Sequence, residues 1–265
     1  MSSLNQSTGL LMAAQPTTTV LSTPRSKPAP SGQPFLGKAL YWMGRFFLDA
    51  YMRVNLDVDV LRHVPLPAGP MILAANHPTT MDPFYILTLL PEPVSVLVTT
   101  AAFDVPGFGS YLRATGHVPA VRGSGGATVD AIARQIEAGR TVAIFPEGAL
   151  SPQGGGFHQP HSGVARVALR TGVPVIPIGI GVQRDRIRIT ETHKDGENVI
   201  AHLYPSGPYA MTVGRPLTFH GDVRDDERVH TVAGHIMNQI RNLATESDLR
   251  IQPAAAAALL EGAAL

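Results

Sequence analysis

From Leu36 to Val54 apolar side chains recur at steps of three and four: Leu36, Leu40, Met43, Phe47, Ala50 and Val54. Lys38, Arg45, Asp49 and Arg53 fill another stripe, which is the period of an amphipathic helix. Tyr41 and Trp42 flank the apolar face. Two burials suit such a helix: packing on the protein's own core, or lying at a lipid headgroup boundary, where aromatic and basic residues are favoured. From Val54 the period becomes two. Val54, Leu56, Val58 and Val60 alternate with Asn55, Asp57 and Asp59, which predicts a half-buried strand. Beyond it, short unbroken apolar runs at Met71–Ala75, Val94–Thr99, Val118–Val121, Thr141–Phe145 and Val173–Ile180 alternate with helical patterns at 83–90, 105–115, 126–138 and 160–171. Gly139 stands where a helix C-cap is expected, two residues before the run 141–145. Ala210–Val213 reads as a further strand and Asp226–Leu243 as an amphipathic helix. The alternation predicts an α/β fold, a mostly parallel sheet flanked by helices, with the amphipathic helix at its N-terminal side.

The 265 residues suffice for one large domain or two small ones. Residues 1–34, rich in Ser, Thr, Pro and Gln and without an acidic residue, are expected to be a disordered tail; scarce arginine argues against a cleaved organelle transit peptide. The helix then covers 35–53, a single domain 54–250, and an Ala/Leu-rich tail 251–265. With 44% hydrophobic and 15% charged residues, the chain can bury a sizeable core. A net charge of +1 gives no global attraction to nucleic acid, and none is expected as a partner. The chain has no cysteine, so disulfides, zinc–thiolate sites and cysteine nucleophiles are excluded. No window reaches the roughly 18 consecutive apolar residues of a membrane span, so a membrane-bound form is expected to lie on the bilayer surface.

In an open α/β sheet, ligands bind beyond the carboxyl ends of the strands. Asn76-His77 follows the run 71–75, Arg122 follows 118–121, and Pro146-Glu147-Gly148 follows 141–145. An imidazole, a guanidinium and a carboxylate are thereby expected on one edge. Asp82-Pro83 reads as a helix start, with Asp as N-cap and Pro at the first helical position. One Asp82 oxygen can accept a main-chain N–H while the other accepts Nδ1–H of His77. That bond would fix the tautomer and leave Nε2 free as a base. With no cysteine and no G-x-S-x-G elbow, a covalent intermediate on serine or cysteine has no support, and the nucleophile is expected to come from the substrate: an alcohol, amine or water.

These residues carry a resemblance. N-H-x-x-x-x-D (Asn76, His77, Asp82), G-x-x-x-x-x-R (Gly116 to Arg122), F-P-E-G (Phe145 to Gly148) and V-I-P-I (Val175 to Ile178) occur in this order. Over roughly residues 54–215 the chain resembles the glycerolipid acyltransferases, the family of 1-acylglycerol-3-phosphate acyltransferase. The resemblance implies that His77, oriented by Asp82, deprotonates a lysophosphatidate-type hydroxyl, which attacks an acyl thioester on coenzyme A or acyl carrier protein without an acyl-enzyme. It implies no cofactor or metal, and substrate binding by Arg122, Glu147, Gly148 and Asn76. It also implies peripheral attachment to the cytoplasmic face of a membrane. Where the family usually reads F-P-E-G-T-R-S, this chain has Ala149 and Leu150, losing a hydroxyl and a guanidinium. His161 is the candidate to compensate, with His117, His158 and Arg166 behind it.

Three alternatives stay open on sequence: the same chemistry on another lipid or glycolipid acceptor, metal-dependent hydrolysis through His77, Asp82 and Glu147, and a non-catalytic lipid-binding relative. The glycines of Ser151–Gly163 suggest a mobile loop, and the His158/His161 spacing is interrupted by Pro160, which disfavours a metal site. Ser151 is expected to cap its turn or bond locally. Arg184, Arg186 and Arg188 alternate along a strand-like stretch, as a solvated face or as contacts to anionic lipid or coenzyme A phosphates.

Overall fold

The computed structural model describes residues 35–121, 125–194 and 197–252, with only the backbone described for 192–199. The expected tail 1–34, Arg122 and residues 253–265 lie outside the described residues. In chain order the elements are α1 (Phe35–Asn55), β1 (Leu56–Arg62), β2 (Ile72–Ala75), α2 (Asp82–Tyr85) running into a 3-10 turn at Ile86–Leu89, β3 (Val94–Thr99), α3 (Thr100–Phe103), α4 (Phe108–Ala114), β4 (Val118–Ala120), α5 (Gly125–Glu137), β5 (Thr141–Ile144), α6 (Gly163–Thr171), β6 (Val175–Val182), β7 (Arg188–Lys194), β8 (Glu197–Leu203), β9 (Gly207–Val213) and α7 (Asp226–Ile251).

The main sheet has the order β1-β9-β6-β2-β5-β3-β4. All its pairings are parallel except β6 with β9. The expected α/β architecture is therefore present, with the site-bearing strands β2, β4 and β5 running the same way. The apolar runs hide a period of two. Ile72, Ala74, Val142 and Ile144 face a core shared with α5, α6 and α7, while Leu73, Ala75, Ala143 and Phe145 face the opposite core, with Tyr85, Ile86 and Tyr209. Both faces are covered, which is why these strands read as continuous apolar runs.

The run Val175–Val182 contains Gly179 and Gly181 because α7 lies directly on it. A Cβ on Gly179 would stand 2.0 Å from the main-chain nitrogen of Ala244. α7 extends to Ile251, two turns beyond the Leu243 expected from its pattern, and is N-capped by Asp225, whose carboxylate accepts Arg228 N–H at 3.0 Å. Helix α1 continues through Val54 and Asn55, so the strand expected from Val54 begins at Leu56.

The apolar stripe of α1 does not face the core. Gly37, Tyr41 and Met52 are buried instead, whereas Leu36, Met43, Phe46, Phe47 and Val54 point outward, Phe46 being 68% and Val54 83% exposed. Arg45 fixes the inner face. Its guanidinium donates to the carbonyls of Leu87 (2.5 Å), Leu90 (3.0 Å) and Thr88 (3.1 Å), and its Nε to Asp49. Those carbonyls belong to the end of the 3-10 turn and have no helical partner, so a cation is well placed there. The β7–β8 hairpin was not expected; its strands form a separate two-stranded antiparallel sheet.

Candidate active site

The site forms where the chain leaves β2. His77 is partly buried, its imidazole stacked on Phe145 with centroids 4.4 Å apart. Its Nδ1 lies 3.1 Å from Oδ2 of Asp82. Nε2 has no hydrogen-bond partner among the described residues.

Asp82 is completely buried and receives four donors. Oδ2 accepts Thr79 N–H at 2.7 Å as well as the His77 ring; Oδ1 accepts the hydroxyls of Thr79 (2.6 Å) and Tyr209 (2.8 Å). No cation pairs with it among the described residues except His77 when protonated. Its charge is therefore held by hydrogen bonds, which fill the lone pairs of a buried carboxylate.

This differs from the expected cap. Met81 is the N-cap, Asp82 and Pro83 occupy the first two helical positions, and the main-chain donor to Asp82 comes from Thr79. The helix start is also no source of oxyanion donors. Asp82 N–H is taken by Thr79 O, those of Phe84 and Tyr85 by Met81 O, and Pro83 has none.

Glu147 is 2% exposed and turned into the protein. Oε1 accepts the hydroxyl of Ser151 at 2.5 Å and the main-chain N–H of His77 at 3.2 Å; Oε2 accepts His158 N–H at 2.8 Å. Ser151 Oγ also accepts His77 N–H, and Ser151 N–H returns a bond to His77 O at 2.8 Å. The expected substrate-binding carboxylate is thus a clamp on the His77 loop. Asn76 is likewise turned inward: its Nδ2 donates to Ile180 O (2.8 Å) and its Oδ1 accepts Ile180 N–H (2.7 Å), which ties the loop to β6.

Gly148 has φ +66°, and a Cβ there would lie 2.5 Å from the His161 ring. His161 is exposed and anchored by its main-chain N–H on Pro146 O at 2.8 Å. Of the candidate residues in the described part of the chain, His77, Asp82, Glu147, Gly148 and His161 come together around the F-P-E-G turn. The other proposed compensators do not reach the site. His117 is buried beneath β3, accepting Val96 N–H on Nδ1; burial, and after it Arg140, push its pKa down to about 3. Arg166 is engaged by Val223 O and Asp226. His158 lies over Leu150 O, and among the described residues no three histidine, aspartate or glutamate side chains are grouped to hold a metal ion. Of the three arginines, Arg184 donates to Pro152 O and Arg186 to Gln183, while Arg188 is exposed.

Sequence reasoning missed Thr79, Tyr209 and His202. The spacing Thr79-x-x-Asp82 is a known local bonding pattern and could have exposed the first. Tyr209 lies on a strand 127 residues away from Asp82, and nothing local reports it. His202, at the end of β8, exchanges main-chain bonds with Thr80 (Thr80 N–H to His202 O at 3.0 Å, His202 N–H to Thr80 Oγ1 at 2.9 Å), and its Nδ1 donates to Pro78 O. The unexpected hairpin therefore straps the loop that carries His77.

Next to this loop is an apolar cavity of about 500 Å³. It lies between α1, α2 and α4; Tyr41, Leu48, Met81, Phe84, Leu87 and Phe108 are among its walls. Met81 and Phe84 come from either side of Asp82 in sequence, while neither His77 nor Asp82 lines the cavity.

An open α/β sheet with its candidate residues beyond the strand ends defines the class, an α/β enzyme. Residues 57–181, from β1 to β6, match the family model described as Acyltransferase. In fold it is similar to the 1-acyl-sn-glycerophosphate acyltransferase PlsC from Thermotoga maritima, with a TM-score of 0.51 and 20% identity over 78% of this chain and 79% of that one. No curated protein matches it by sequence.

Proposed function

We propose that the chain transfers a fatty acyl group from a coenzyme A or carrier-protein thioester to the hydroxyl of a lysophosphatidate-type glycerolipid. The observation that carries this reading is the His77–Asp82 pair, with Nε2 unpartnered among the described residues; an apolar cavity walled in part by Met81 and Phe84, of a size within the roughly 300–1,000 Å³ typical of ligand pockets, supports it.

In this reading Nε2 takes the acceptor's proton as its oxygen attacks the thioester carbon. Asp82 holds the tautomer and balances the imidazolium. The tetrahedral intermediate collapses with the C–S bond breaking, and the imidazolium returns its proton to the leaving thiolate. No acyl-enzyme forms. The acyl chain occupies the cavity, and His161 and Arg122 hold the acceptor headgroup. Ala149 and Leu150, in place of a hydroxyl and a guanidinium, favour a second reading in which the acceptor carries no phosphate.

The outward apolar face of α1 supports peripheral attachment to a membrane, since Phe46, Phe47 and Trp42 are exposed on it among the described residues. Among the described residues no helix is long and apolar enough to cross a membrane. The test is thiol release from acyl-CoA, measured without acceptor and with lysophosphatidate or phosphate-free monoacyl lipids. Acceptor-dependent release that is lost in His77→Ala supports the reading. Release that ignores every acceptor, or survives that substitution, overturns it.

A further inference from the structure

We infer that Tyr209 is a positioning residue for the His77–Asp82 pair, acting on the imidazole through the carboxylate; the inference rests on the base assignment above. Tyr209 is fully buried on β9, and its hydroxyl donates to Oδ1 of Asp82 at 2.8 Å, on the oxygen not bonded to His77. Its ring is fixed edge-on by Tyr85, with centroids 5.1 Å apart at 83°. A buried carboxylate without a permanent cation disperses its charge only into its donors. Here those donors are one main-chain N–H and two hydroxyls, besides the imidazole itself.

The share of charge that Tyr209 withdraws is charge not available to the imidazolium. This phenol therefore sets how firmly Asp82 holds a proton on His77. It stays a donor throughout the working range, because burial, and after it the Asp82 charge, push its own pKa well above 10. The other titratable groups around the loop are Tyr85 from α2, Glu147 after β5 and His202 from β8; Tyr204 after β8 neighbours Tyr209 and bonds to Pro208 O, not to the pair.

The test is the titration midpoint of the His77 imidazole, followed by NMR on the substrate-free protein. In Tyr209→Phe the carboxylate loses one donor and holds the imidazolium more tightly, so the midpoint rises by about half a unit or more. Tyr204→Phe is the control. It removes a buried hydroxyl bonded to Pro208 O (2.7 Å) rather than to Asp82, and leaves the midpoint in place. Should Tyr209→Phe fail to fold, replacing all six tyrosines by 3-fluorotyrosine makes the same donor stronger and moves the midpoint down. A midpoint unchanged or moved the other way in the folded protein overturns the inference, because a purely structural tyrosine would alter the melting temperature alone. The measurement needs no turnover, so a protein inactive on thioesters would sink the functional reading and leave this test standing.

Discussion

Oε1 of Glu147 accepts the main-chain N–H of His77 at 3.2 Å, so the carboxylate of the F-P-E-G turn holds the histidine's backbone in place. Two segments separated by 70 residues are thereby one structural unit. Ser151 doubles the link by bonding both His77 N–H and the same Glu147 oxygen.

Glu147→Ala should remove that clamp without touching the ring. Misplacing a catalytic group by about 1 Å can cost around 10²-fold. A loss of that order in kcat is expected, with a smaller one for Glu147→Gln, which keeps an acceptor. Thiol-release kinetics on both variants check it; wild-type kcat in Glu147→Ala would refute the clamp.

His77 and Asp82 should separate in their effect on stability. His77→Ala is expected to lose about 10²–10⁴-fold in rate, the usual weight of a general base, and to melt near the wild-type temperature. Asp82→Ala should lose comparable activity and also melt lower, because it strands four buried donors, each costing about 1–3 kcal/mol when unsatisfied. Thermal melts and turnover on the same preparations test both halves.

The cavity should set acyl length. Leu48→Trp fills it from α1 and is expected to shift preference to shorter chains, while Phe84→Ala enlarges it toward longer ones. An assay across acyl-CoAs of graded length measures this. Identical profiles in wild type and both variants would show that the chain lodges elsewhere.

The outer face of α1 should govern partition to lipid. Phe46 and Val54 are exposed and do not line the cavity. Phe46→Glu combined with Val54→Glu is expected to abolish sedimentation with anionic phospholipid vesicles and to leave turnover of a detergent-dispersed substrate unchanged. Undiminished vesicle binding would remove α1 from the membrane interface.

Stability should fall with acid below about pH 6.5. His117 is buried neutral, its pKa lowered to about 3 by burial and then by Arg140. Between its unfolded value near 6.5 and 3, the unfolded state binds the extra proton, so stability declines as pH drops through that window and is full above it. In His117→Gln, melting temperature against pH should be flatter over that range. An equal slope in the variant would assign the acid sensitivity to other groups.

Much of the fold was legible because its determinants are local. The apolar runs at 71–75, 94–99 and 141–145 and the helical period of 126–138 are set by neighbours in sequence, and strand-end placement then brought His77 and Glu147 to one edge. Side-chain direction was less legible. Motif position alone points Glu147 and Asn76 at substrate, yet their oxygens are taken by His77 N–H and Ile180 N–H, partners 70 and 104 residues distant. The stripe of α1 was ambiguous for a different reason: amphipathicity reports that two faces differ, and here the small Gly37 and the polar Arg45 mark the inner one. The β7–β8 hairpin is hard to read because β7 (RITETHK) alternates polar and charged residues like a solvated surface and β8 (ENVIAHL) has no strict alternation of its own.

Of the three bonds by which β8 straps the His77 loop, two use main-chain groups of His202 that almost any amino acid would supply, and only the one from Nδ1 to Pro78 O needs the imidazole. Substitutions can therefore accumulate along most of the hairpin while its mechanical role persists. Selection would preserve a length and a shape there, and homologues aligned by residue identity would show that segment as divergent even where it does the same job.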